Sequence, residues 1–130
     1  AILNDVSVMM SLRGNPYVVQ LKRFFEEPDY FFLVMEHMTG GDVFDRIVKM
    51  KRYTEKDARD CVENLLLAMK SIHSTGIAHR DVKPQNIMLV SEDEHTSIKV
   101  GDFGFARRVH TPQSLNSRCG TPSYVAPEVC

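Results

Sequence analysis

Apolar residues recur at Ile2, Val6, Met9, Met10 and Leu12, the three- and four-residue steps of one helix face, until Gly14, Asn15 and Pro16 interrupt them. No N-cap precedes Ala1, so the pattern predicts a helix already under way at the first residue. Residues 17–25 and 30–36 are rich in aromatic and β-branched side chains and flank a turn at 26–29, which predicts a hairpin. Thr39, Gly40 and Gly41 form a connector, and Asp42 can cap a short helix running to about Met50. The longest helix is predicted from Thr54, with Asp57 as its capping partner and Ala58, Cys61, Val62, Leu65, Leu66, Met69 and Ile72 as its apolar face. Gly76 can supply the left-handed residue that ends it. Two apolar runs, 87–90 and 97–100, with a polar stretch between them, predict a second hairpin, and residues 101–130 read as a long ordered loop without periodicity.

Composition narrows the class. Hydrophobic residues at 43% and charged residues at 25% are near globular averages and exclude a disordered, collagen-like or coiled-coil chain, and no internal repeat supports a solenoid. A net charge of -1 removes the general electrostatic case for nucleic acid or an anionic membrane, so any phosphate chemistry must come from local placement. No run approaches the ~18 apolar residues of a membrane span, and the first residues lack a basic region followed by an apolar one. The expectation is a soluble, intracellular, cytoplasmic protein whose Cys61, Cys119 and Cys130 are free thiols in a reducing compartment.

The chemistry concentrates in two short segments. Within residues 79–86, Asp81 offers a carboxylate that can orient a hydroxyl or accept its proton, Lys83 can neutralise a phosphate, and Asn86 offers a hard amide oxygen. Asp102, followed by Phe103 and Gly104, is a second hard oxygen ligand. Phosphoryl transfer depends on positioning and charge neutralisation, and these are the groups it needs. Taken singly each is weak, because an isolated Asp or Lys is usually a solvated surface group. The acidic stretch Glu92, Asp93, Glu94, His95 matches no calcium-loop spacing and reads as a solvated turn.

The conjunction is more specific. His79-Arg80-Asp81, Asn86 five residues later, Asp102-Phe103-Gly104 beginning sixteen residues after that, and Ala126-Pro127-Glu128 follow one another in the order of the protein-kinase signature set. On these motifs the whole chain resembles a eukaryotic-type protein kinase catalytic domain, from the later part of its helix C to the end of its activation segment. Lys83 two residues after Asp81 resembles the serine/threonine class. Cys119-Gly120-Thr121-Pro122 with Tyr124-Val125-Ala126, and the polar 91–96 insertion, resemble the calcium/calmodulin-dependent branch.

The resemblance implies an α+β, protein kinase-like bilobal fold, present in part: residues 1–36 from the end of the small β-rich lobe, a hinge at 37–41, and 42–130 from the first part of the helical large lobe. The catalytic loop would be 79–86 and the activation segment 102–128. It further implies ATP and Mg²⁺ as cofactors, with Asp81 as catalytic base or orienter of the substrate hydroxyl, Lys83 on the γ-phosphate, and Asn86 and Asp102 on the metal. Met35 would be the gatekeeper, Glu36 and Met38 would present backbone groups to adenine, and Val43 and Met88 would pack beneath it. Asp42 and Gln85 stand at nucleotide-side positions where the family often has Glu, which weakens any requirement for upstream arginines in the substrate. Ser117 matches the activating phosphosite, with Arg80 to bind its phosphate, and Thr121 would shape the substrate loop. Thr111 and Ser114 are weaker switch candidates. His79, Phe103, Leu21 and Met9 match the apolar stack joining the lobes, with His79 a hydrogen-bonded structural residue.

By the same resemblance the partners would be a protein substrate bearing Ser or Thr, an upstream activating kinase, and a calmodulin or calcium-sensing segment outside these residues, with neither nucleic acid nor membrane. No Gly-x-Gly occurs, and Lys22 lies on the strand after helix C, so the phosphate-covering loop and strand-three lysine of the family are expected before Ala1. Asp5 stands at the helix C glutamate position with one methylene fewer. The chain alone is therefore expected to be inactive. A pseudokinase, acting as scaffold or allosteric partner, is the alternative, and the intact Asp81, Lys83, Asn86 and Asp102 favour the active enzyme.

Overall fold

The computed structural model describes residues 2–51 and 53–129. The uncapped start at Ala1 and the thiol of Cys130 lie outside the described residues. Helix α1 (Ile2–Ser11) forms where the periodicity places it, but its buried side chains are Val6, Val8 and Met9, continued by Leu12, while Met10 is exposed. At about 100° per residue Met10 stands about 160° round the helix from Val8 and Leu12 but only about 40° from buried Val6, so it lies at the edge of the covered stripe.

The first hairpin starts later than its composition predicts. Strand β1 (Leu21–Glu26) runs antiparallel to β2 (Phe31–Met35), with Leu21 opposite Met35 and Glu26 opposite Phe31. Residues 17–19 serve the second hairpin: the Val100 N–H donates to the Tyr17 carbonyl at 2.7 Å, and the Val19 N–H to the Val100 carbonyl at 3.0 Å. Val18 and Val19 are buried there. Propensity for extended backbone cannot say which sheet an extended segment joins.

Helix α2 (Val43–Met50) is capped as predicted, the Asp42 carboxylate accepting the Asp45 N–H at 2.8 Å. Helix α3 (Glu55–Ser74) is capped by Thr54, whose Oγ1 accepts the Asp57 N–H at 3.0 Å and donates to the Asp57 carboxylate at 2.6 Å. Its predicted apolar face is too wide. Cys61, Ala68 and Ile72 are buried and Leu65 and Met69 half-buried, whereas Val62 and Leu66 are 52% and 64% exposed. The covered stripe follows 61, 65, 68 and 72, and Val62 and Leu66 sit one residue further round the helix. Gly76, at φ +75°, ends the segment as predicted.

Strand β3 (Ile77–Ala78) pairs with β6 (Arg107–Arg108), so the segment after Gly101 is not wholly irregular. It also contains short 3₁₀ turns at Pro112–Ser114 and Pro127–Val129. Two-residue strands and single turns carry no periodicity for a sequence reading to detect. The second hairpin is β4 (Ile87–Leu89) against β5 (Ile98–Val100), and its apolar side chains join Leu12, Val18, Ile72, Ile77 and Phe103 in the core. The Thr39-Gly40-Gly41 connector lies on β4: the Gly40 N–H donates to the Leu89 carbonyl at 3.2 Å, and the Leu89 N–H to the Gly41 carbonyl at 2.7 Å. A Cβ on Gly40 would sit 2.5 Å from the Ser91 carbonyl oxygen, so this crossing requires glycine for space. Cys61 and Cys119 are free thiols. Among the described residues no helix is long and apolar enough to cross a membrane.

Candidate active site

The loop between β3 and β4 folds onto its own side chains. His79 is buried, its Nδ1 accepting the Asp81 N–H at 3.1 Å, so its proton resides on Nε2 and is donated to the Gly101 carbonyl at 2.8 Å. Burial pulls the His79 pKa down, outweighing the Gly101 bond and the carboxylates of Asp102, Asp81 and Asp5. The ring is neutral and structural, with Phe103 packed edge-on at 5.0 Å between centroids.

Arg80 takes a left-handed φ of 68°, which turns the next residue inward. Asp81 is 5% exposed and fully engaged. Its Oδ1 accepts the Thr121 hydroxyl at 2.7 Å, and its Oδ2 accepts the Asn86 amide at 3.2 Å and lies 3.5 Å from the Lys83 ammonium. Lys83 Nζ also donates to Thr121 Oγ1 at 2.7 Å, so Thr121, 40 residues along the chain from Asp81, is held by both members of the pair. Asn86 gives Nδ2 to the Asp81 carbonyl as well, at 2.8 Å. Its amide nitrogen is thereby spent on Asp81, which leaves the amide oxygen as the group it can offer a cation.

Asp102 stands just beyond β5, exposed, at φ 53°, with Oδ1 accepting the Gly104 N–H at 3.2 Å. Hydrogen bonds from Gly101 N–H to the Asn86 carbonyl and from His79 to the Gly101 carbonyl bring the two candidate ligands, Asn86 and Asp102, to the same end of the hairpin. An amide oxygen and a carboxylate are an all-oxygen donor set, which fits Mg²⁺ rather than a softer metal. Asp5, on α1, approaches the same turn. Burial and the facing Asp102 push its carboxyl above the usual range, partly offset by the Phe103 N–H and by His79, and its Oδ1 is buried without a hydrogen bond among the described residues.

After β2, Glu36 spends its N–H on the Gln20 carbonyl at 2.8 Å, and the Met38 carbonyl accepts the Gly41 N–H at 3.2 Å. The Glu36 carboxylate binds Lys99 Nζ at 2.7 and 2.9 Å. Burial raises the Glu36 pKa, but Lys99, the Gln20 N–H and Lys22 outweigh it and hold the group below the usual range. Met38 and Val43 are buried, and Met35 is exposed. Met88 would lie 3.7 Å from a Cβ at Gly101, and Asp42 bridges to it through the backbone while its carboxylate caps α2. Gln85 is exposed within the 79–86 loop.

Arg80 and Ser117 line one cavity of about 620 Å³ with Asp81, Cys119, Thr121 and Glu128. Arg80 Nε donates to the Phe105 carbonyl at 2.7 Å, and its Nη1 is buried without a hydrogen bond among the described residues. Ser117 is exposed, and its hydroxyl donates to the side-chain oxygen of its neighbour Asn116 at 3.4 Å. Thr111 and Ser114 are tied to each other in a capping box. Sequence reasoning missed Lys99, Gln20 and Asn4. Lys99 is the polar residue between Ile98 and Val100, so alternation could have turned it away from the core, but nothing in the sequence names its partner. The stretch Glu92–His95, expected as a solvated turn, is solvated only in part. Glu92, Asp93 and Glu94 are exposed, but His95 accepts from Arg46 at 2.8 Å and, through its carbonyl, from the Tyr53 hydroxyl, and Asn64 holds the Thr96 carbonyl at 2.8 Å.

The protein kinase domain family matches residues 1–130. The chain belongs to the protein kinase family. Within it the branch is that of the serine/threonine calmodulin-dependent kinases. The chain is 41% identical over 126 residues to a calcium/calmodulin-dependent protein kinase type 1 of Macrobrachium nipponense, covering 97% of this kinase chain and 36% of the relative. It is 39% identical over 128 residues to the type IV enzyme of Mus musculus, covering 98% and 27%, and 41% identical over 116 residues to myosin light chain kinase A of Dictyostelium discoideum, covering 89% and 39%. The kinase chain thus spans between 27% and 39% of the length of these relatives. Its mixed helices and strands are part of the bilobal kinase fold.

Proposed function

We propose that the full-length protein transfers the γ-phosphate of ATP to serine or threonine hydroxyls of protein substrates. The observation that carries this reading is the closed cluster of Asp81, Lys83, Asn86 and Thr121, with Asp102 at the same end of the β4–β5 hairpin. In it Asp81 orients the substrate hydroxyl and takes its proton as the oxygen attacks phosphorus and ADP leaves. Thr121 holds Oδ1 of the Asp81 carboxylate while Asn86 and Lys83 flank its Oδ2, so little reorganisation is needed at the moment of transfer. Lys83, whose ammonium stands between Thr121 and Asp81, would neutralise charge on the transferring phosphate. Bound Mg²⁺, which Asn86 and Asp102 would hold, supplies charge neutralisation for the phosphates. At the hinge the Glu36 carbonyl and Met38 N–H are the groups offered to adenine, Met35 is the gatekeeper, and Val43, Met88, Asp42 and Gln85 line the nucleotide's lower side.

Phosphorylation of Ser117 by an upstream kinase would add about -1.5 to -2 charge beside the unpartnered Nη1 of Arg80, which anchors the Phe105 carbonyl, and so order the activation segment. The calmodulin-dependent relatives favour a calcium-sensing segment elsewhere in the protein and an intracellular setting. These residues contain no Gly-x-Gly, and on their own they transfer no phosphate in this reading. One observation favours the pseudokinase alternative: Asp5 is turned toward Phe103 and Asp102, and is short for an ion pair with a strand lysine.

Transfer from radiolabelled ATP by the full-length protein tests the reading. Asp81→Asn should lower it by orders of magnitude while nucleotide binding persists, and Asp102→Ala should weaken Mg²⁺-dependent ATP binding in calorimetry. Near-normal turnover in Asp81→Asn overturns the assignment, and nucleotide binding without any transfer in the unmodified protein selects the pseudokinase.

A further inference from the structure

Asp102 is a non-glycine residue in the left-handed region, and such a residue persists only where its surroundings over-determine it. On its N-terminal side Gly101 is fixed at both backbone groups, N–H to the Asn86 carbonyl at 2.9 Å and carbonyl to His79 at 2.8 Å. The ring of Phe103 is completely buried, and the Ala106 N–H closes the turn on the Phe103 carbonyl at 3.0 Å. The C-terminal side of the turn has two side-chain anchors from outside it. Arg80 Nε donates to the Phe105 carbonyl at 2.7 Å, and Asn4 Nδ2 donates to the Ala106 carbonyl at 2.9 Å across 102 residues of sequence. Asn4 is on α1, one residue before Asp5. From α1, Asp5 faces the Phe103 N–H at the near end of the turn, and the contact beyond, between Ser7 and Arg108, is long at 3.4 and 3.5 Å.

We propose that Asn4 is a positioning residue for Asp102: its hydrogen bond to the Ala106 carbonyl holds the 102–106 turn against α1 and so keeps Asp102 in its left-handed conformation. A shift of α1 that breaks this bond frees the far end of the turn, leaving Arg80 as its remaining external side-chain anchor. Asn4 touches neither substrate nor metal. The consequence for metal binding rests on the reading of Asp102 as a ligand, while the consequence for the turn does not.

Two measurements on the full-length protein separate these. In amide hydrogen exchange without nucleotide or Mg²⁺, Asn4→Leu should speed exchange of the amides of residues 103–108 by about fivefold, the size of one net hydrogen bond, and leave α3 unchanged. In nucleotide binding followed by calorimetry, the Mg²⁺ concentration for half-maximal binding should rise by about the same factor, with full binding restored at saturating Mg²⁺, because a ligand that binds one state repopulates it. Asn4→Ser, which keeps a hydroxyl but cannot reach as far, gives the same test in a milder form. Unchanged exchange at 103–108, or faster exchange spread equally over α3 in both variants, overturns the proposal. Altered exchange at 103–108 with no Mg²⁺-dependent binding even in the unmodified protein keeps Asn4 as the anchor and removes Asp102 as a ligand.

Discussion

The two hairpins are built on opposite principles. β1–β2 is the longer ladder, yet it leaves Phe25, Phe31, Phe32 and Val34 each more than 40% exposed. β4–β5 pairs only three residues a side, and Ile87, Leu89, Ile98 and Val100 are all buried. The short one is also gripped from outside, by 17–19 along β5 and by the Gly40-Gly41 connector along β4. It has Asn86 at its start and Asp102 just past its end. Ladder length is therefore a poor guide to rigidity, and burial with flanking backbone bonds is a better one. The candidate active site stands on the element that has both.

That contrast can be broken by substitution. Leu89→Ala should cost about 3 kcal/mol, the usual loss for a fully buried leucine, and Phe32→Ala less than about 1 kcal/mol, both read from denaturant midpoints. Equal losses would erase the distinction. Gly40→Ala should cost about 2 kcal/mol, because the new Cβ meets the Ser91 carbonyl oxygen at 2.5 Å and the Leu89 carbonyl oxygen at 2.8 Å, and backbone on both sides must give. A neutral Gly40→Ala would show that the connector floats on β4.

Acid reaches the short hairpin through His79. Its folded pKa is depressed below the ordinary 6.5, so the unfolded chain takes up the proton first, and stability that is complete above that value is lost as pH falls toward the folded one. Thermal midpoints should fall as pH drops below 6.5 and while it is still above 4.5, and the slope in that window should flatten in His79→Gln. Glu36, whose depressed pKa starts from an ordinary 4.5, contributes its loss only below that, outside the window. The smallest effect belongs to the Glu36–Lys99 pair, which joins the end of β2 to β5. A double-mutant cycle of Glu36→Gln and Lys99→Met should give a coupling below about 1 kcal/mol, since both side chains keep contact with water. A coupling several times larger would make this pair, and not burial, the main tie between the hairpins.

What was legible in the sequence follows from the range of each interaction. Caps at Asp42 and Thr54 and the end at Gly76 are decided within four residues, and all three are where the pattern put them. The motifs around Asp81 and Asp102 were legible because their spacing is itself the signal. The contacts between them were not, since Thr121 reaches Asp81 across 40 residues and Asn4 reaches Ala106 across 102. Val62 and Leu66 were misplaced for a related reason: periodicity gives the direction of an apolar stripe, while its width depends on how much neighbouring surface lies against it.

The pairing of 17–19 with Val100 has a mechanical consequence. Together with Asn15, whose amide donates to Ser71 on α3 at 2.8 Å, it fastens the region of α1 and β1–β2 to the rest of the chain at a place well separated in sequence from the 36–41 connector. A body attached at two points keeps one easy rotation, about the line through both, and resists translation and twisting in the other directions. A swing about that line would carry Asn4 and Asp5 with α1 and would have to break the Asn4–Ala106 bond, while Asp81 stays with the β4–β5 side.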